Sequence, residues 1–107
     1  MKTKNKFIPI FKPFLKGNEK KYLNKCIETN WISSQGEFVK SFEKKFAKFH
    51  NAKYCIATSN CTTALHLSLL SIGIGNGTEV LCPSLSFIAP ANMILLSGAK
   101  LVLVDID

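Results

Sequence analysis

The chain has 107 residues, 47% hydrophobic and 20% charged, proportions of an ordinary globular domain that exclude a disordered, collagen-like or fibrous polymer. Its formal charge of +7 is unevenly placed, since residues 1–53 hold 13 of the 14 cationic side chains and four of the seven acids. Every cation is lysine, so the planar fork with which arginine grips phosphates and guanine edges is missing and no nucleic-acid partner is expected. A domain of this length can bury roughly two-thirds of the surface its unfolded chain exposes, so core size is no obstacle to folding.

Residues 1–16 read as an extended arm, because Pro9 and Pro13 interrupt a short alternation of apolar and basic residues. Asn18 is placed to cap a helix whose apolar stripe is Tyr22, Leu23, Cys26 and Ile27 and which ends near Asn30. The segment Trp31-Ile32-Ser33-Ser34-Gln35-Gly36 has no periodicity and reads as a loop. Phe38, Val39, Phe42, Phe46 and Phe49 then fall on one face of a second helix. Lysines 20, 21, 25, 40, 44, 45 and 48 read as the solvated faces of this pair.

From residue 52 the texture changes. Residues 53–58 form a short β-type run, Ser59-Asn60 is capping chemistry, and residues 62–72 are an apolar helix ended by Gly73 and the turn Gly75-Asn76-Gly77. Residues 79–82 read as a strand stopped by Pro83, residues 87–96 as a helix that tolerates Pro90 in its first turn, and residues 101–104 as a buried strand after Gly98. The expected organisation is an arm and two amphipathic helices over 1–51, then β-α-β-α-β over 52–107. Such alternation predicts an α/β fold with a largely parallel sheet, whose ligands gather at the carboxyl ends of the strands. An apolar edge strand so near residue 107 needs covering, which suggests the front part of a larger design.

Cys26, Cys55, Cys61 and Cys82 are 29, 6 and 21 residues apart, and neither His50 nor His66 stands at zinc-ligand spacing from them; no metal site is expected. The early apolar stretch is too short for a signal-peptide core, so reduced thiols in the cytoplasm are expected. The uncharged stretches 54–78 and 80–99 carry too many polar residues, glycines and prolines to cross a bilayer, and no membrane partner is expected.

Two segments carry chemistry. Ser59-Asn60-Cys61-Thr62-Thr63 lies between a strand-like run and a helix, where free backbone N–H groups and the helix dipole suit a phosphate. The same residue types also serve as a plain helix cap. No Walker loop and no G-x-G-x-x-G motif is present. Pro83-Ser84-Leu85-Ser86-Phe87 comes after the next strand on the same rim, so Phe87 could stack on a planar ring there, or belong to the core.

Taken together, Ser59-Asn60-Cys61-Thr62-Thr63-Ala64-Leu65-His66-Leu67, Gly73-Ile74-Gly75-Asn76-Gly77-Thr78-Glu79-Val80, Pro83-Ser84-Leu85-Ser86-Phe87-Ile88-Ala89-Pro90 and the upstream Trp31-Ile32-Ser33-Ser34-Gln35-Gly36 closely resemble the DegT-DnrJ-StrS family of sugar aminotransferases. The resemblance implies the N-terminal part of an aspartate-aminotransferase-like large domain, fold type I of the pyridoxal-phosphate enzymes. It implies pyridoxal 5'-phosphate (PLP) as cofactor, a nucleotide-linked keto sugar as substrate, glutamate as amino donor, and a homodimer when intact. It assigns cofactor binding to Asn60, Cys61, Thr62 and Phe87, with the phosphate received by the backbone N–H groups of Cys61 and Thr62 and the Thr62 hydroxyl and the pyridine ring stacked on Phe87, and substrate contact to Ser33 and Ser34. Family members often have glycine where Cys61 stands and Ser or Thr where Pro90 stands. The family's Schiff-base lysine belongs to a later motif, so neither Lys53 nor Lys100 is assigned that role and the 107 residues alone are expected to be inactive. The competing expectations are a non-catalytic remnant, a split-gene subunit, or a basic module binding an acidic partner through residues 1–53.

Overall fold

The computed structural model describes residues 7–106; the first part of the expected arm, residues 1–6, and Asp107 lie outside them. The chain forms two compact units, Met1–Ser41 and Phe42–Asp107.

In the first unit, residues 7–16 carry no helix or strand and are exposed. Helix α1 is Glu19–Glu28. Asn18 occupies its N-cap but makes no side-chain cap bond; the Glu19 carboxylate instead accepts from the Gly17 N–H at 2.9 Å. That acid also sits well against the positive end of the helix dipole. The helix stops where Asn30 turns to φ 53° and the Trp31 N–H returns to the Cys26 carbonyl at 2.9 Å. Helix α2, Glu37–Phe49, starts in this unit, where Lys25 pairs with Glu37 and the Tyr22 and Phe38 rings lie 4.9 Å apart.

The division between the units falls inside α2, between Ser41 and Phe42. The later half of α2 is tied to residues 52–57 of the second unit. Ala52 N–H donates to the Ala47 carbonyl, and Ala57 N–H donates to the Glu43 carboxylate, both at 2.9 Å.

The second unit continues with α3 Cys61–Ser71, β1 Glu79–Pro83, α4 Ile88–Leu96 and β2 Lys100–Val104. The strands are parallel, with Val80 opposite Leu101 and Cys82 opposite Leu103; α4 is the crossover between them and packs against both and against α3. The core is Cys82, Ile94 and Ala99, with Leu69, Ile74, Val80, Ala91 and Leu101 packed against it. Pro90, third in α4, falls in the first turn, where its missing N–H costs nothing.

Residues 53–58, expected as a strand, form none: the sheet of the described residues has two strands. Their β-type composition favours extended backbone, but a strand requires a second backbone alongside, and the Ala57 N–H is taken by a side chain. The core is also smaller than length alone allows. Among the described residues the buried apolar ones are Ala47, Cys82, Ala89, Ile94 and Ala99.

Two glycine turns fix the direction of the helices. Gly73 and Gly77 before β1, and Gly98 before β2, hold φ between 79° and 85°, a region costly for residues with a Cβ. The turns pack on each other: a Cβ on Gly98 would meet Asn76 Oδ1 at 2.8 Å, and one on Gly75 would meet the Ser97 carbonyl at 3.4 Å. The Lys100 N–H donates to the Thr78 carbonyl at 2.9 Å. The carboxyl ends of α3 and α4 thus meet at the amino end of the sheet, and their amino ends both point toward its carboxyl end.

Candidate active site: the amino ends of α3 and α4

Asn60 is the N-cap of α3, extended at φ −165° and ψ 170°. Its Oδ1 accepts the Thr63 N–H at 2.9 Å, and its carbonyl accepts the Ala64 N–H at 3.1 Å. These two bonds use the third and fourth N–H groups of the helix. The first two, on Cys61 and Thr62, have no acceptor among the described residues. They are the donors that a helix start leaves over, at the positive end of the dipole. No acidic residue stands in the first turn to oppose an anion. The Thr63 hydroxyl is committed to the Asn60 carbonyl at 2.9 Å, whereas the Thr62 hydroxyl has no partner among the described residues. Cys61 is exposed with a free thiol.

Phe87 is the N-cap of α4, at φ −63° and ψ 145°, four residues beyond the end of β1. The intervening chain is held by the Ser84 N–H on the Val104 carbonyl at 2.8 Å. Phe87 itself is 80% exposed and lies outside the core cluster of the second unit. Since the amino ends of both helices point to the carboxyl end of the sheet, Asn60, Cys61, Thr62 and Phe87 share that rim of the second unit, the usual place for ligands in open α/β sheets.

Ser33 and Ser34 belong to the first unit. Both are exposed in the loop between α1 and α2. Ser33 is partly spent on the loop: its Oγ accepts the Gln35 N–H and its carbonyl accepts the Gly36 N–H, each at 3.1 Å. Gly36 is buried, and a Cβ there would lie 3.0 Å from the Trp31 ring, which would have to shift by a few tenths of an ångström to admit it. Beside it lies an apolar cavity of about 350 Å³ lined by Leu23, Ile27, Trp31, Ile32 and Val39 among others. Ser34 makes no hydrogen bond among the described residues.

Thr58 lies just before the run 59–63 that the sequence marks, and Thr63 lies within it without a role of its own. The Thr58 hydroxyl donates to the Asn60 carbonyl at 2.9 Å, and Thr63 also lies 3.3 Å from Ser59 Oγ. Hydroxyls two residues before and three after an Asn cap do signal such local bonds, but the same run reads equally well as a general polar turn. No group of three or more potential metal ligands occurs among the described residues. No helix of the described residues is long and apolar enough to cross a membrane.

Comparison with known proteins gives the family and the fold. The chain is 46% identical over 102 residues to a GDP-perosamine synthase of Escherichia coli O157:H7, covering 95% of the chain and 28% of that protein. It superposes on the aminotransferase from Psychrobacter cryohalolentis with a TM-score of 0.78 and 30% identity, over 91% of the chain and 25% of that structure. It superposes on a GDP-4-keto-6-deoxymannose-3-dehydratase, solved with a trapped PLP-glutamate geminal diamine, with a TM-score of 0.73 and 26% identity, over 82% and 24% respectively. The chain spans about a quarter of the length of the curated relatives it matches. Its architecture is the α/β, parallel-sheet arrangement of the fold type I PLP enzymes, of which it holds a part. A match over residues 13–107 takes in α1 through β2 and both helix starts described above, and by it the chain belongs to the DegT/DnrJ/EryC1/StrS aminotransferase family.

Proposed function

We propose that this chain is the N-terminal part of a PLP-dependent aminotransferase that moves an amino group from glutamate to a nucleotide-linked keto sugar in the cytoplasm, working as a homodimer when intact. In this reading residues 52–107 begin the cofactor-binding large domain. The observation that carries it is the pair of uncommitted N–H groups on Cys61 and Thr62, at a helix start without acids, in a chain of this family. A phosphate monoester needs several convergent donors, and the turn offers two amides and the Thr62 hydroxyl. The residues present therefore fit the cofactor phosphate. Bound PLP supplies the electron sink on which amino transfer runs.

The chain's own residues bind and orient. Asn60 holds the first turn of α3 so that the Cys61 and Thr62 amides stay open to the phosphate. Phe87, exposed on the same rim, covers one face of the pyridine ring. Ser34, and Ser33 with the capacity its loop bonds leave, contact the sugar substrate. The glutamate donor is supported by the PLP-glutamate adduct in a structural neighbour, and a GDP carrier by the names of the E. coli relative and of that neighbour.

The large apolar surface left open supports a part of a larger protein: Leu81 and Leu103 of the sheet are 68% and 60% exposed. The test is release of 2-oxoglutarate from glutamate in the presence of a GDP-linked keto sugar. A protein of family length carrying this segment is expected to turn over, and the 107 residues alone are not. Turnover by the 107 residues alone contradicts the division of labour proposed here.

A further inference from the structure

The carbonyl of Asn60 collects three donors: the Thr58 hydroxyl at 2.9 Å, the Thr63 hydroxyl at 2.9 Å and the Ala64 N–H at 3.1 Å. A helix start needs only the last of these. The other end of the same peptide unit is the Cys61 N–H, one of the two open donors. In a planar trans peptide the N–H points opposite to the carbonyl, so fixing the oxygen at three points fixes the direction of that N–H, away from the helix. Donors on the oxygen also polarise the peptide and make its N–H a stronger donor.

We propose that Thr58 and Thr63 are positioning residues for the phosphate: through the Asn60 carbonyl they aim and strengthen the Cys61 N–H. This rests on the phosphate reading of the turn given above. Neither hydroxyl touches the phosphate. The Thr62 hydroxyl does, and that difference separates the two ideas experimentally.

The test is equilibrium dialysis of the full-length protein against pyridoxamine 5'-phosphate and, separately, pyridoxamine. Neither has an aldehyde, so neither condenses with lysine, and the ratio of the two affinities reads the phosphate seat alone. Thr58→Val and Thr63→Val keep the side-chain shape and remove the hydroxyl. Each is expected to lower the preference for the phosphorylated ligand about fivefold, the worth of one ordinary hydrogen bond, with pyridoxamine affinity unchanged. Thr58→Ser and Thr63→Ser are expected to restore the preference. An unchanged preference in both valine variants, while Thr62→Val lowers it, overturns the positioning role and leaves the phosphate site standing. Equal weakening of both ligands also overturns it, since that is what a merely structural role produces. If Thr62→Val leaves the preference intact, or the unaltered protein shows none, the phosphate reading itself fails and this inference with it.

Discussion

Asn60 shows how much one side chain settles. Its Oδ1 caps Thr63, and a cap of this type is worth about 1 kcal/mol over alanine. Asn60→Ala is therefore expected to lower stability by about 1 kcal/mol, and Asn60→Asp to be nearly neutral, read from denaturant midpoints at constant slope. This cap was legible in the sequence because Asn followed by an apolar run is a local signal. Phe87 was not legible from pattern alone, since an aromatic after a strand reads equally well as core. Among the described residues its side chain is 80% exposed and lies outside the core cluster. Phe87→Ala is expected to change stability by less than about 0.5 kcal/mol, yet to weaken pyridoxamine 5'-phosphate binding several-fold, the scale of a ring-stacking contact. Loss of stability without loss of binding would return Phe87 to the core.

Glycines divide by surroundings as well as by backbone. Gly73 and Gly98 both have positive φ, but a Cβ on Gly73 meets open space and one on Gly98 meets Asn76 at 2.8 Å. Gly73→Ala is expected to cost about 1 kcal/mol from backbone strain alone. Gly98→Ala is expected to cost more, because the turn packing must also give. Equal unfolding midpoints for the two variants would contradict the packed-turn description.

Among elements, the amphipathic and capped helices were readable because their signals are periodic and local. Helix α3 is marked by Asn60 before it and Gly73 after it, and α2 by Phe38, Phe42, Phe46 and Phe49 on one face. Pairing could not be read in the same way. Residues 53–58 have strand composition and no strand, because pairing depends on a neighbour that no local pattern encodes. The Glu43 bond to Ala57 was hidden for the same reason, since it spans 14 residues.

The pairing of α1 with the start of α2 carries a pH signature. The hydrogen bond to the Glu37 carboxylate, and then its charge, hold the Lys25 ammonium above the ordinary 10.5. A raised value means that the pair's contribution is fully present below pH 10.5 and is lost as pH climbs through the higher folded value. Both side chains are more than half exposed, so the effect on stability is small. The clean readout is the NMR titration of Lys25, expected to lie above 10.5 and to fall back to it in Glu37→Gln. An unshifted midpoint in the unaltered chain would mean that the ion pair does not persist in solution.

At the level of the whole molecule, the largest buried side chain in the second unit's core is Ile94, beside Cys82 and Ala99. Leu95 and Leu96 of α4 remain 58% and 63% exposed. Ile94→Ala is expected to cost about 2–5 kcal/mol, a large share of what so small a core supplies. Exposed apolar surface of this extent marks interaction faces. The 107 residues alone are expected to bind a hydrophobic dye such as ANS strongly and to form aggregates of no fixed size as concentration rises, while a protein of family length binds little dye and stops at a dimer. Composition and hydropathy describe an ordinary globular chain and do not reveal this, because they count apolar residues without saying which of them the fold covers.

The functional reading stands or falls on the start of α3 receiving a phosphate and Phe87 the ring attached to it. A crystal structure of the full-length protein with pyridoxamine 5'-phosphate decides between the outcomes. Phosphate oxygens are expected about 3 Å from the Cys61 and Thr62 nitrogens and the Thr62 hydroxyl, with the pyridine lying against the Phe87 ring. A phosphate held elsewhere, with those two amides facing only water, would contradict it.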